Sequence, residues 1–227
     1  MNIFKYKDIK FEEIALSKPI KDGGNYISSF SLHKEEGISD LIIQTPTDLI
    51  YKDNILCFSL TKKGNFYTFM EELKDRAVDI LYKNSEKFFK GKKFSQDYIY
   101  RSVETPVDIN DEGISIIKNV TLSDKAIVYD YFKDIVKTHS SPYNGVFILK
   151  ISHLSFIKKT IKINIEILAI KLSLQKNVEI DPSNFLEDNE ETTEEDNKET
   201  IENNKEIEEQ KNIEENPDEL SEEDFFV

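Results

Sequence analysis

Two apolar arms, residues 146–157 and 161–174, joined by Lys158-Lys159-Thr160, limit what this chain can fold into more than any other stretch. In the second arm Ile161, Ile163, Ile165, Ile167 and Ala169 share one face, opposite Lys162, Asn164 and Glu166. Period-two alternation over that length specifies a β-hairpin rather than a helix. Further on, Leu168, Ile170, Leu172 and Leu174 move the apolar residues to the other face. Such an exchange predicts a bulge, or a strand covered on both sides, as where a barrel strand bends.

The N-terminal part supplies short strands to pair with it. Residues 11–16, 26–32, 41–43, 49–51 and 55–60 are apolar runs cut by turn residues. Lys21-Asp22-Gly23-Gly24 marks one turn, and Lys52-Asp53-Asn54 a tight hairpin. Pro46 ends or edges the third run. Residues 65–82 then change period. Phe66, Phe69, Met70, Leu73, Ala77, Ile80 and Leu81 fall three or four apart, giving one apolar face of a helix. Asn65 is its expected N-cap and Asn84 its stop, with Glu72, Lys74, Asp75, Arg76, Asp79 and Lys83 on the solvated side. Residues 113–122 read as one strand with Ile114 and Ile116 on a common face. Residues 126–136 suit strand or helix, and Pro142-Tyr143-Asn144-Gly145 reads as a turn. The class is mainly β (α+β) with one packed helix, and strand count alone leaves barrel and sandwich open.

Charge divides the chain in two. Residues 178–227 hold 21 acids and 3 lysines, net −18, so the whole-chain −14 leaves residues 1–177 at +4. The first part suits one domain with a real core. The second has few apolar residues and no periodicity, the mark of a disordered acidic tail. The body's excess is local. Residues 82–101 carry Lys83, Lys87, Lys90, Lys92, Lys93 and Arg101 against Glu86 and Asp97. Tyr82, Phe88, Phe89, Phe94, Tyr98 and Tyr100 are interleaved with them. Cations between flat rings suit one nucleic-acid strand, because ammonium groups track phosphates while rings stack on unpaired bases. Lys87, Lys90, Lys92, Lys93, Phe94, Tyr98, Tyr100 and Arg101 are the candidate contacts, with Lys158, Lys159 and Lys162 from the late hairpin. Phe94, Tyr98 and Tyr100 are expected in a loop and strand after the lysines. At the far end of the tail, Asp224-Phe225-Phe226-Val227 places apolar residues where no core awaits them, which marks a partner-binding tip.

Other chemistry has little material. His33, His139 and His153 lie apart from any carboxylate or cysteine at ligand spacing, so neither metal nor cofactor is expected. Gly91-Lys92-Lys93 lacks the earlier glycine and the hydroxyl residue of a phosphate loop. No catalytic signature stands out, and the expected answer is a binding protein rather than an enzyme. Cys57 is the only cysteine and gives no disulfide framework. Residues 1–13 hold no signal-peptide core and no stretch approaches a membrane span, so a soluble intracellular protein is expected.

A β-rich body, a basic aromatic segment and an acidic tail ending in Asp224-Phe225-Phe226-Val227 together resemble replicative single-stranded DNA-binding proteins with OB folds, phage and bacterial ones included. A second resemblance is to the single-stranded DNA-binding proteins of large eukaryotic DNA viruses. It runs from Leu41-Ile42-Ile43-Gln44-Thr45-Pro46 through Phe88-Phe89-Lys90-Gly91-Lys92 to the hairpin at 145–171. The resemblance implies an OB-like barrel that coats single-stranded DNA during viral replication, recombination or repair. It also implies a tail that recruits a polymerase, primase or helicase. The setting would be the host nucleus or a cytoplasmic viral replication compartment, and a homo-oligomer is compatible with it. Such proteins often carry tryptophan in the binding face. This chain has none, so stacking falls to Phe and Tyr.

Two other classes fit the same composition. An acidic-tailed chaperone for basic partners would make the tail the active part, and a minor viral structural protein would use a jelly-roll body. The chaperone has no use for a +4 aromatic segment on its body, so the location of charge discriminates against it.

Overall fold

A computed structural model of the chain describes residues 2–136 and 142–173. The acidic tail, its Asp224-Phe225-Phe226-Val227 tip and the boundary at residue 177 lie outside the described residues.

The elements in chain order are β1 (Phe4–Lys5), β2 (Ile14–Leu16), β3 (Ile20–Asp22), β4 (Asn25–Lys34), β5 (Gly37–Ser39), β6 (Ile42–Gln44), β7 (Leu49–Lys52) and β8 (Ile55–Ser59). Helices α1 (Leu60–Lys83), α2 (Ser85–Phe88) and α3 (Gln96–Ser102) follow. Then come β9 (Val107–Ile109), β10 (Ile114–Ile117), β11 (Val120–Tyr129), β12 (Tyr143–Ile157) and β13 (Thr160–Leu172). The architecture is mainly β, an OB-like half-barrel of one curled sheet with a packed helix.

β12 is the spine. One edge pairs with β13 from Ile157↔Thr160 to Gly145↔Leu172. The other edge seats three strands in turn: β7 at Tyr143–Gly145, β6 at Ile148–Lys150 and β4 at His153–Phe156. A strand that serves three successive partners in a curled sheet must bend, and bulges provide the bend. Ile148 pairs with Ala169 but Leu149 with Ile167, leaving Leu168 unpaired; Ser152 is skipped in the same way on β12. The exchange of apolar faces read from sequence is this bulge. Ile161, Ile163, Ile165 and Ile167 are buried before it and Ile170 after it. β11 lies parallel to the outer edge of β13, a pairing that no local pattern announces.

Three local readings change. Residues 113–122 form two strands, because Asn119 takes a left-handed φ of 55° and breaks the run. Ser115 and Ile117, not Ile114 and Ile116, face the core. Residues 143–145 open β12 rather than belonging to a turn at 142–145, and Gly145 is there for a close approach. A Cβ at Gly145 would run into the backbone carbonyl of Lys171 on β13. Gly145→Ala should therefore cost about 1–3 kcal/mol through forced backbone shifts, visible as a lower urea midpoint.

The α1 face Phe66, Phe69, Met70, Leu73, Ala77 and Leu81 is buried as expected. Asn65 is not its cap. The helix begins after Ser59 and kinks at Lys63 (φ −130°, ψ 27°), whose ammonium reaches Thr47 Oγ1 (3.4 Å) and Asp48 Oδ2 (3.9 Å). Asn84 does stop it, with backbone and side-chain N–H groups both donating to the Ile80 carbonyl. In the β7–β8 hairpin Asp53 and Asn54 both adopt positive φ (52° and 61°), the twist a two-residue turn requires.

Candidate nucleic-acid interface

Directly after α1 the chain makes a single turn of helix, α2, that buries Phe88 and Phe89. Phe89 is fully buried, edge-on to Phe94 (5.1 Å between centroids, 89°) and to Phe156 of β12 (6.3 Å, 81°). These contacts anchor the basic segment on the late hairpin. Two successive left-handed residues, Lys90 (φ 50°) and Gly91 (φ 85°), then reverse the chain. The Gly91 N–H donates to the Glu86 carbonyl at 2.7 Å, and the Lys92 N–H to the Phe89 carbonyl at 3.0 Å. Lys87, Lys90, Lys92 and Lys93 are thereby carried exposed on a hydrogen-bonded turn with a hydrophobic root.

Tyr26 connects this turn to the hairpin. The Lys90 ammonium lies 5.8 Å from its ring centroid, and Tyr26 pairs with Phe156, two residues before Lys158. Lys158, at φ 52°, and Lys159 form the β12–β13 turn. Lys21 pairs with Tyr26 from the other side. The fold thus sets Lys90 against the Tyr26 ring, pairs Tyr26 with a residue beside the turn that carries Lys158 and Lys159, and adds Tyr26 and Lys21 to the basic surface. Strand register decides that, and no local motif could have announced it.

Two clefts adjoin α2 and share Asn84, Glu86 and Lys87. The first, about 660 Å³, has a floor of Ile14, Ala15, Leu16, Ile80 and Phe88 and a rim of Lys18, Arg76, Lys87 and Lys90. The second, about 710 Å³, runs past Tyr82, Lys83, Lys93 and Phe94. Arg76 fixes the wall of the first, donating to the Glu12 and Ile14 carbonyls (3.1 and 2.9 Å) and pairing with Asp79 (3.0 Å). An apolar floor under a cationic rim can lodge an unpaired base while its phosphates meet lysine. A duplex keeps its bases stacked inside and cannot use such a floor.

Not every candidate stands free. Lys93 pairs with Glu86 (3.1 Å), Arg101 with Asp97 (3.0 Å) and Lys162 with Glu104 (3.3 Å). Exposed pairs of this kind contribute little and are screened by salt, so phosphate can compete for these cations. Lys87 has no ion-pair partner among the described residues. Arg101 and Lys162 lie at the other side of the cluster, where the Glu104 N–H donates to the Ile161 carbonyl (2.9 Å).

The rings divide differently from the expectation. Residues 96–102 form α3, not a loop and strand. The Ser95 side chain caps it by accepting from the Tyr98 N–H (3.2 Å), and Ile99 is buried. Phe94 and Tyr98 stack on each other (5.0 Å, 16°) and pack half-buried against the core, with Phe94 also lining the second cleft. Tyr100 does project, at 47 % exposure. Beneath it lies Lys74, only 8 % exposed although the sequence placed it on the solvated face. Its ammonium sits 4.2 Å from the Tyr100 ring centroid and donates to Thr105 Oγ1 (3.1 Å). Burial pulls this lysine below its usual range, with Asp75 and Glu71 partly opposing. Tyr100→Ala should weaken single-strand binding by about 1–3 kcal/mol with little loss of stability. Tyr98→Ala should instead lower the melting temperature, which a thermal melt beside a binding titration checks.

Among the described residues no group of three or more His, Cys, Asp or Glu side chains could hold a metal ion, and no helix is long and apolar enough to cross a membrane.

No protein-family profile matches this sequence, and no curated protein does. Among solved structures, it is similar to the single-stranded DNA-binding protein from bacteriophage Enc34, at 11 % identity and a TM-score of 0.37 over 75 % of this chain and 98 % of that one. The same phage protein in complex with single-stranded DNA aligns at 12 % identity and a TM-score of 0.33, covering 70 % and 94 %. Similarity at this level transfers neither function nor residue roles.

Proposed function

We propose that residues 1–177 form a single-stranded DNA-binding domain that coats unpaired DNA without sequence preference during replication, recombination and repair, with no enzymatic activity. The observation that carries this reading is the pair of adjoining clefts rimmed by Lys87, Lys90 and Lys93, one of them apolar-floored, with Lys90 against Tyr26, whose strand pairs beside the Lys158–Lys159 turn. Lys92 and Tyr100 extend the contact. A viral replication compartment, in nucleus or cytoplasm, is the setting that the resemblance implies.

The acidic residues 178–227 have two separable roles in this reading. Their −18 charge competes with phosphate for the lysines, since a tethered segment meets them at high effective concentration. Phe225, Phe226 and Val227 dock on a polymerase, primase or helicase. Cutting after Asn177 should tighten binding to a labelled dT oligonucleotide, most at low salt where screening is weak. Removing only residues 225–227 should leave DNA affinity unchanged and abolish binding to the purified replication partner. Equal affinity of the full and shortened chains at low salt would remove the competitor role.

A further inference from the structure

Phe132 is the most exposed large apolar side chain among the described residues, at 77 %. It stands edge-on to Tyr131, 49 % exposed, with centroids 5.5 Å apart. The turn that carries them is tightly bonded. The Asp134 N–H donates to Asp130 Oδ1 (2.9 Å), the Asp130 N–H to the Asp134 carbonyl (2.9 Å) and the Lys133 N–H to the Asp130 carbonyl (3.1 Å). Ile135 then bridges back to Tyr129, and the Val136 N–H donates to the Val128 carbonyl (2.9 Å). Two rings held out in water by an ordered turn mark a binding surface.

The Lys171 ammonium lies 5.8 Å from the Tyr131 ring centroid. Lys171 belongs to the outward face of β13, as Lys162 does; the residues that alternate with them, Ile161 to Ile167 and then Ile170, point inward. Lys162 sits beside α3 at one end of that strand, and the ring pair sits at the other. Nine residues at about 3.3 Å separate the two lysines by about 30 Å.

We propose that Tyr131 and Phe132 form a second base-stacking site for a single strand that also occupies the basic clefts. The inference rests on the single-strand reading above. Lys133 and Lys171 are matched in number by Asp130 and Asp134 here, so the contact is through ring faces, which require no net positive charge. The cation over Tyr131 and the outward lysine at each end of β13 favour a nucleic-acid strand over a second copy of this chain.

The spacing makes the site dependent on length. At the duplex rise of about 3.4 Å per nucleotide, a dT oligonucleotide of about 4 residues falls short of 30 Å even when drawn out to about twice that spacing, whereas one of about 16 spans it; both lie within the site sizes of such folds. With the full chain, Phe132→Ala should weaken the long oligonucleotide by about fivefold to 150-fold. It should leave the short one and the melting temperature unchanged. Loss of equal size at both lengths, or at neither, overturns the proposal. A change of oligomeric state in light scattering with unchanged DNA affinity also overturns it, by giving the surface to a second copy. The variant with Lys87, Lys90 and Lys92 replaced by alanine, measured alongside, separates the two readings. Wild-type affinity in that variant overturns the clefts themselves, whereas loss there with no Phe132 effect overturns only the second site.

Discussion

Replacing Lys87, Lys90 and Lys92 together by alanine is expected to cut single-strand affinity steeply at low salt and to flatten its salt dependence. Each phosphate contacted on a single strand contributes a slope of about −0.7 in log affinity against log salt, so losing three contacts should reduce the slope by about 2. All three side chains are exposed, and their loss should move stability by no more than about 0.5 kcal/mol. Lys93→Ala alone should do less, because it removes one phosphate contact rather than three. Fluorescence anisotropy with a labelled dT oligonucleotide across several salt concentrations, beside a thermal melt, separates binding from folding. A triple variant with an unchanged slope would place the strand elsewhere on the protein.

Phe89→Ala should have the largest effect on the fold. The ring is fully buried and touches Phe94 from the basic segment and Phe156 from the spine strand. Truncating a buried phenylalanine costs about 3–5 kcal/mol, a large share of the stability of one domain. The lysine turn hangs from this contact, so DNA binding should be lost with it. Urea unfolding should show a much lower midpoint, and Tyr100→Ala by comparison should leave that midpoint in place. A Phe89 variant of ordinary stability would mean that the basic segment is not anchored on β12 in this way.

What could be read from the residues follows from how far each signal reaches along the chain. The late hairpin and its bulge were legible because thirteen or more alternating residues leave little choice of structure. The α1 core face was legible because seven apolar residues keep helical spacing. The seven residues of α3 are too few for a period to show, and its Ser95 cap went unread amid the charge of its surroundings. Lys74 was misplaced for a physical reason: its stem is long enough to pack while its ammonium finds Tyr100 and Thr105. The parallel pairing of β11 with β13, and the meeting of Tyr26 with Lys90, depend on residues far apart in sequence. The basic run was therefore visible as composition, and the packing of its rings was not. Phe94 and Tyr98 lie half-buried against the core, whereas Tyr131 and Phe132, read only as part of an ambiguous segment, stand exposed.

The most direct test of the central claim is a titration of the full chain with labelled poly-dT and with a duplex of equal length, each at two salt concentrations. The account predicts tighter binding to the single strand at both. The preference should persist as affinity falls with salt, because base contacts on the clefts and rings are not screened as phosphate contacts are. Equal affinity for the two forms, falling in parallel with salt, would contradict it and reduce the basic surface to a general phosphate-binding patch.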